Sequence, residues 1–274
     1  MVSVRMLTLI SAVAAAVSAA PAPIIDGLDA ALETLNITET VDRDLRRGEL
    51  LVIGAGGRSA IVTEATWKLL LEVQGIAAEP PEIDYEYLNN AGKGLAEIPV
   101  NDTELALGKR ECDNDFAYKI DGTINFVDWD VQMSPVIAGA GSKGIEVTVA
   151  RSFTVQNSIT GGGGVDLSKL YPKLGLAFKI DYAHQWSTTQ GTMVRATVDS
   201  GEVGCVITRP YTTRRYGRTY EGCLGSQKVG TFYADSHAEG SYEGYTWISG
   251  TITACIKKQR NPRLTRCNGA GYFR

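Results

Sequence analysis

The sequence predicts a mainly β protein: an antiparallel elongated sheet or sandwich, preceded by a small α+β N-terminal segment. Three observations carry that expectation. Strand-like runs punctuated by Gly, Pro, Asn or Asp recur across residues 116–256, as in antiparallel all-β folds. Two neighbouring stretches alternate apolar and polar residues for about twice the usual strand length of roughly 5 to 6 residues. A helical pattern stands out only in the acidic first third of the chain.

Residues 1–19 combine a basic start, the apolar run MLTLISAVAAAV and a small-residue site at Val17-Ser18-Ala19. That pattern predicts a signal peptide, hence a secreted, extracellular protein. Asn36-Ile37-Thr38 and Asn101-Asp102-Thr103 are glycosylation sequons suited to that route, with Asn36 and Asn101 as acceptors. In the acidic N-terminal region, residues 20–110, Glu49–Ile53 and Ala60–Thr63 read as strands around a glycine turn. Glu64–Val73 reads as a helix stopped by Gly75. Residues 79–110 read as a weakly structured connector.

Charge and cysteine content change near residue 110. Residues 1–110 hold 9 Lys+Arg against 16 Asp+Glu, and residues 111–274 hold 18 against 15. All five cysteines lie in the second part, and Lys109-Arg110 sits on the boundary. A dibasic pair at such a junction suggests a trimmed pro-segment, with a plain linker as the alternative. The cysteine-bearing β domain is then residues 111–274. Its runs are Phe116–Ile120, Ile124–Val131, Met193–Val198, Val203–Thr208, Val229–Ala234, Tyr245–Ile248 and Thr251–Ile256, besides the two long ones.

In the first long stretch Ile145, Val147, Val149, Phe153, Val155 and Ile159 share one face. In the second, Leu174, Leu176, Phe178, Ile180, Tyr182 and Trp186 do. The connector GGGGVDLSKLYPKL is expected to hold at most one helical turn. In an oxidising compartment, sequence proximity favours Cys205–Cys223 and Cys255–Cys267 bridges and leaves Cys112 unpaired, although spacing alone does not fix connectivity.

Groups suited to catalysis are few. There are two histidines. His184 lies on an apolar strand face, where a packed or interfacial role is expected. Asp235, His237 and Glu239 would project together from an extended segment and form the one metal-site candidate. Asp128 and Asp130 read as solvated carboxylates on one strand face. No nucleophile elbow, zinc-helix motif or phosphate loop occurs, so neither a cofactor nor catalysis is expected.

The densest chemistry is Thr208–Tyr220, with four arginines and three tyrosines in thirteen residues. Arg209, Tyr211, Arg214, Arg215, Tyr216 and Arg218 could meet anionic groups, since guanidinium forks match carboxylate, sulfate or phosphate and tyrosines add apolar contact. The alternative is that these arginines pair with carboxylates of the protein itself. The modest charge and expected compartment argue against nucleic acid. A host protein, glycan or anionic membrane surface remains as the partner.

FVDWDVQMSPV (Phe126–Val136), SFTVQNSI (Ser152–Ile159), ITRPYTTRRYGRTYEGCLGSQ (Ile207–Gln227), FYADSHAEGSYEGYTWISG (Phe232–Gly250) and LTRC (Leu264–Cys267) resemble a family of small secreted effector-like proteins of filamentous fungi. That resemblance spans most of residues 112–274. It implies a role in host colonisation and brings no catalytic residues. The long strands around a glycine connector, followed by FKIDYAHQWSTTQ, more weakly resemble aerolysin-type β-pore-forming proteins. That likeness implies a membrane hairpin, which needs alternation over about 9 to 11 residues per strand. A secreted metal-dependent hydrolase is the third reading, resting on Asp235, His237 and Glu239 alone.

Overall fold

A twenty-residue strand, β11 (Glu202–Glu221), organises the molecule. The computed structural model describes residues 30–33, 45–54, 58–89, 116–150, 152–188, 191–223, 227–242, 245–259 and 263–274. The segment expected to be a signal peptide, Asn36, Asn101, Lys109-Arg110 and Cys112 lie outside them.

In chain order the N-terminal elements are β1 (Glu49–Ile53), β2 (Ser59–Thr63), helix α1 (Glu64–Gln74) and the short helix α2 (Tyr85–Asn89). Next come β3 (Phe116–Val127), β4 (Val131–Gln132), β5 (Ile137–Ala138), β6 (Ile145–Val149), β7 (Thr154–Gln156), β8 (Ser158–Gly161) and helix α3 (Leu167–Phe178). The last are β9 (Gln185–Ser187), β10 (Gly191–Val198), β11, β12 (Lys228–His237), β13 (Glu239–Tyr242), β14 (Tyr245–Ile248) and β15 (Gly250–Lys258).

β11 is rich in Val, Ile, Thr and Tyr, which fit a pleated surface, and at about 3.3 Å per residue it spans roughly 65 Å. Along one edge β3, β4 and β5 run antiparallel to it in succession. Along the other, β12 pairs with its C-terminal half and β15 with its N-terminal half. β8 extends the sheet beyond β12, and β1 then β2 extend it beyond β15. The expected mainly β, antiparallel and elongated architecture is present, and β1 bonds to β15 across the charge boundary near residue 110.

The partners change at Pro210, which has no N–H to give to a ladder. Its carbonyl accepts from Asp128 N, and Tyr211 N donates to Ser249 O. Gly250 faces it at φ 149°, and a Cβ there would lie 2.4 Å from Arg209 O. Only glycine fits so close to a neighbouring backbone.

On one face of the N-terminal half, Val206, Leu51, Ile53 and Ile252 pack against Val147, Val149, Val194, Ala196 and Val198 from β6 and β10. On the other, Val203, Cys205 and Ile207 meet Leu264 and Phe273 of the C-terminal segment. Helix α1 starts where Thr63 accepts from Thr66 N and stops at Gly75 in the left-handed conformation. It buries Trp67, Leu70 and Leu71 against β1 and β2.

The two long strands are corrected. The first is broken into β6, β7 and β8, which pair with β10, β9 and β12 respectively. The break falls by Ser152, whose φ is 79°. Alternation survives within each piece, with Val147, Val149 and Val155 entering one apolar cluster and Ile159 another. The second is helix α3 followed by turns, with only Gln185–Ser187 extended. Asp166 caps α3 through Ser168 N, and Leu170 and Leu174, one helical turn apart, are its buried residues. Leu176, assigned to the apolar face by period two, is 85 % exposed. Leucines in this segment satisfy both periods, and the cap with the i, i+4 pair selected the helix.

Candidate functional site

The arginine–tyrosine block lies along β11 from Thr208 to Tyr220, not in a disulfide-closed loop. Cys205 is a free, buried thiol in the ladder, so the Cys205–Cys223 pairing is overturned. Cys223 is disulfide-bonded. The Cys255–Cys267 bridge is present. β11 runs extended from Glu202 to Glu221, so Cys205 and Cys223 lie at its opposite ends and cannot close a loop.

Three of the four arginines grip a carboxylate with two nitrogens each. Arg209 reaches Glu64 at 3.2 and 2.8 Å while lying 4.1 Å over the Trp67 ring. Arg214 reaches Asp235 at 2.7 and 2.6 Å, between the rings of Phe126 and Tyr233. Arg218 reaches Asp121 at 2.7 and 2.8 Å. Burial is the largest influence on Arg214 and opposes its charge, but the hydrogen bonds and charge of Asp235, together with Tyr216, outweigh it and raise the pKa. Arg218 holds Asp121 below the ordinary carboxylate range. These arginines fasten strand to strand and sheet to α1.

Tyr211 is enclosed, accepts from Trp67 Nε1 at 3.1 Å, and is pushed up to about 12 by burial. Tyr216 stands edge-on to Tyr87 of α2, whose hydroxyl donates to Gly217 O at 2.8 Å. Strand alternation turns Arg214, Tyr216 and Arg218 to the α2 side of the sheet and Arg215 to the α3 side.

Arg215 differs from the other three. It is 8 % exposed, and no carboxylate pairs with it among the described residues. Its Nη1 donates to Ser236 Oγ at 2.9 Å, its guanidinium lies 4.4 Å from the centre of the Phe178 ring, and its Nε is buried without a partner. The buried Tyr182 hydroxyl is also unpartnered. Burial raises the Tyr182 phenol, and the nearby Arg215 charge lowers it. Thr123, paired with Arg215 across the ladder, and Asn125, paired with Thr213, lie on the same face and are partly exposed. The result is a polar shelf beside the C-terminal end of α3 with one uncompensated guanidinium at its base.

The metal candidates do not converge. Asp235 is taken by Arg214, Glu239 is exposed on β13, and His237 Nδ1 faces Thr212 Oγ1 and Tyr211 O at 3.2 Å each. Among the described residues the one cluster with metal-like spacing is Asp130, Cys255 and Cys267, whose two sulfurs are bonded to each other. Asp128 and Asp130 are not solvated strand carboxylates, since β3 ends at Val127. Asp130 is fully buried, accepting from Asn268 N and Nδ2, and burial raises Asp128. His184 is exposed rather than packed within a core, resting edge-on against Trp186 at 4.3 Å.

Sequence reasoning missed Glu64 and Asp121 as partners of the arginine strand. Each lies far away in the chain, and no local pattern joins them to it. A cleft of about 520 Å³ lies at the opposite end of the sheet, lined by Leu45, Arg46, Arg47, Asp199, Thr253 and Ile256. Arg47 there is engaged by Glu202 and Asp199. No protein-family model, curated protein or solved structure matches the chain.

Proposed function

We propose that the chain is a secreted, non-catalytic binding protein that acts at a host surface by receiving an anionic sugar group, carboxylate or sulfate, on Arg215. The observation that carries this reading is the contrast within one strand: among the described residues, three of its arginines have their own carboxylate and the fourth has none. A buried cation without a counter-charge is costly to keep, and an incoming anion would relieve that cost. The guanidinium is recessed among Thr123, Asn125, Thr213 and Ser236, with the Phe178 ring against it. Hydroxyl and amide groups around a recessed fork suit a sugar acid better than a flat lipid surface. Export is supported by the N-terminal signal pattern and by the Cys255–Cys267 bridge. The non-catalytic part is supported by the structural pairing of the main acid–base candidates.

The test is retention on an immobilised sulfated or uronic-acid polysaccharide, with vesicles containing anionic lipid as a second arm. Wild-type protein is expected to bind the polysaccharide, and Arg215→Met to weaken that binding about tenfold, the scale of a charge-assisted hydrogen bond. Arg218→Met, which removes a paired arginine, should change it little. Equal binding by wild type and Arg215→Met, or binding to vesicles alone, overturns the reading.

A further inference from the structure

The third cysteine of the C-terminal cluster is placed where a spare thiol can act. Cys205 is free and fully buried, and its direct partner across the β11–β15 ladder is Cys255. Cys255 is equally buried and is bridged to Cys267, which is exposed. Directly opposed antiparallel residues lie about 4.5–5.5 Å apart at Cα, within the usual disulfide range of about 4.4–6.8 Å. Cys255 can therefore bridge to Cys267 or to Cys205 with little backbone movement.

We propose that Cys267 is a latent surface thiol, released when Cys205 exchanges onto Cys255. The Cys205 Sγ, as thiolate, forms a bond to Cys255 Sγ, and the Cys255–Cys267 bond breaks. The electron pair leaves on Cys267 Sγ, which takes up a proton equivalent to the one Cys205 gave up. One disulfide and one thiol enter the step and one of each leaves it, so no oxidant or reductant is needed.

Two features hold the resting form. Burial pushes the Cys205 thiol up to about 12, with the neighbouring Asp130 charge adding to the effect, so thiolate is scarce at neutral pH. The C-terminal segment also covers the site. Leu264 and Phe273 pack on Cys205 and Cys255, Lys257 Nζ donates to Thr265 Oγ1 and Arg266 O, and Asp130 holds Asn268. Opening this strap admits water to Cys205, lowers the barrier to its ionisation and frees the leaving sulfur. After exchange, β11 and β15 are stitched together, and the strap carries a thiol able to exchange onto a disulfide of a second protein, releasing one of that protein's sulfurs as a thiol.

The experiment uses the full secreted chain, purified without reductant. It is incubated at pH 7 and pH 9, with and without mild urea, then alkylated and mapped by non-reducing peptide mass spectrometry. At pH 7 without urea, the Cys255–Cys267 peptide should dominate, with Cys205 unlabelled until denaturation. At pH 9 in mild urea, a Cys205–Cys255 peptide should appear together with label on Cys267, at an unchanged total of free thiol per chain. Cys205→Ser should lose the Cys267 label. If that variant does not fold, the bridged peptide in wild type decides alone. Labelling of Cys205 while Cys255–Cys267 stays intact overturns the proposal, as does Cys267 labelling that persists in Cys205→Ser.

Discussion

The two halves of β11 share one backbone and are held by different physics. From Glu202 to Pro210 the strand is buried on both faces, with Val203, Val206 and Ile207 between two apolar layers. Its charges sit at the margins, Glu202 gripped by Arg47 and Arg209 by Glu64. From Tyr211 to Glu221 the strand carries arginines and tyrosines whose hydrogen bonds and ring contacts replace part of that apolar packing. The first half is stabilised by area removed from water, which is insensitive to partner identity. The second depends on matched pairs, where losing one member strands the other. An unmatched member can therefore stand out only in the second half, and Arg215 does.

The largest expected effect comes from breaking a match. Asp235→Ala leaves Arg214, 7 % exposed, without its carboxylate, and should lower unfolding free energy by about 3–5 kcal/mol in urea titrations. The double change Arg214→Met with Asp235→Leu should recover most of it. A single change costing under about 1 kcal/mol, the range of exposed pairs, would erase the distinction between the halves.

Ile207→Ala in the apolar half should cost about 3 kcal/mol, from lost transfer energy plus a cavity. Unlike the Asp235 effect, it should have no counterpart substitution that restores stability. Rescue by a change at a single facing residue would show that this half also works by pairs.

A smaller effect concerns pH. Burial holds His237 below its ordinary value of 6.5, so neutral His237 contributes stability that is present above that pH. The contribution is lost as pH falls through the folded pKa, because the unfolded chain takes up the proton first. Melting temperature should decline below about pH 6.5, and His237→Gln should flatten that decline relative to wild type. An unchanged acid limb in the variant would assign the decline to carboxylates held below their ordinary range, Asp121 and Glu202 among them.

Sequence by itself determined the class of the fold and much of its punctuation. The β1–β2 hairpin, helix α1 with its Thr63 and Gly75 ends, β14, β15 and the Cys255–Cys267 bridge follow from local spacing, caps and turn residues. Period two was legible wherever one face is buried, as at Val147 and Val149. Tertiary structure decided the rest, for three physical reasons. Leu167–Phe178 fits two periods, and packing of Leu170 and Leu174 beneath the helix chose between them. Continuity of β11 through Pro210 depends on neighbours that change partner there, which no local pattern records. Partners for the arginines of β11 come from residues 21 to 145 positions away, so the arginine of that strand left without a carboxylate among the described residues became visible only once the chain was folded.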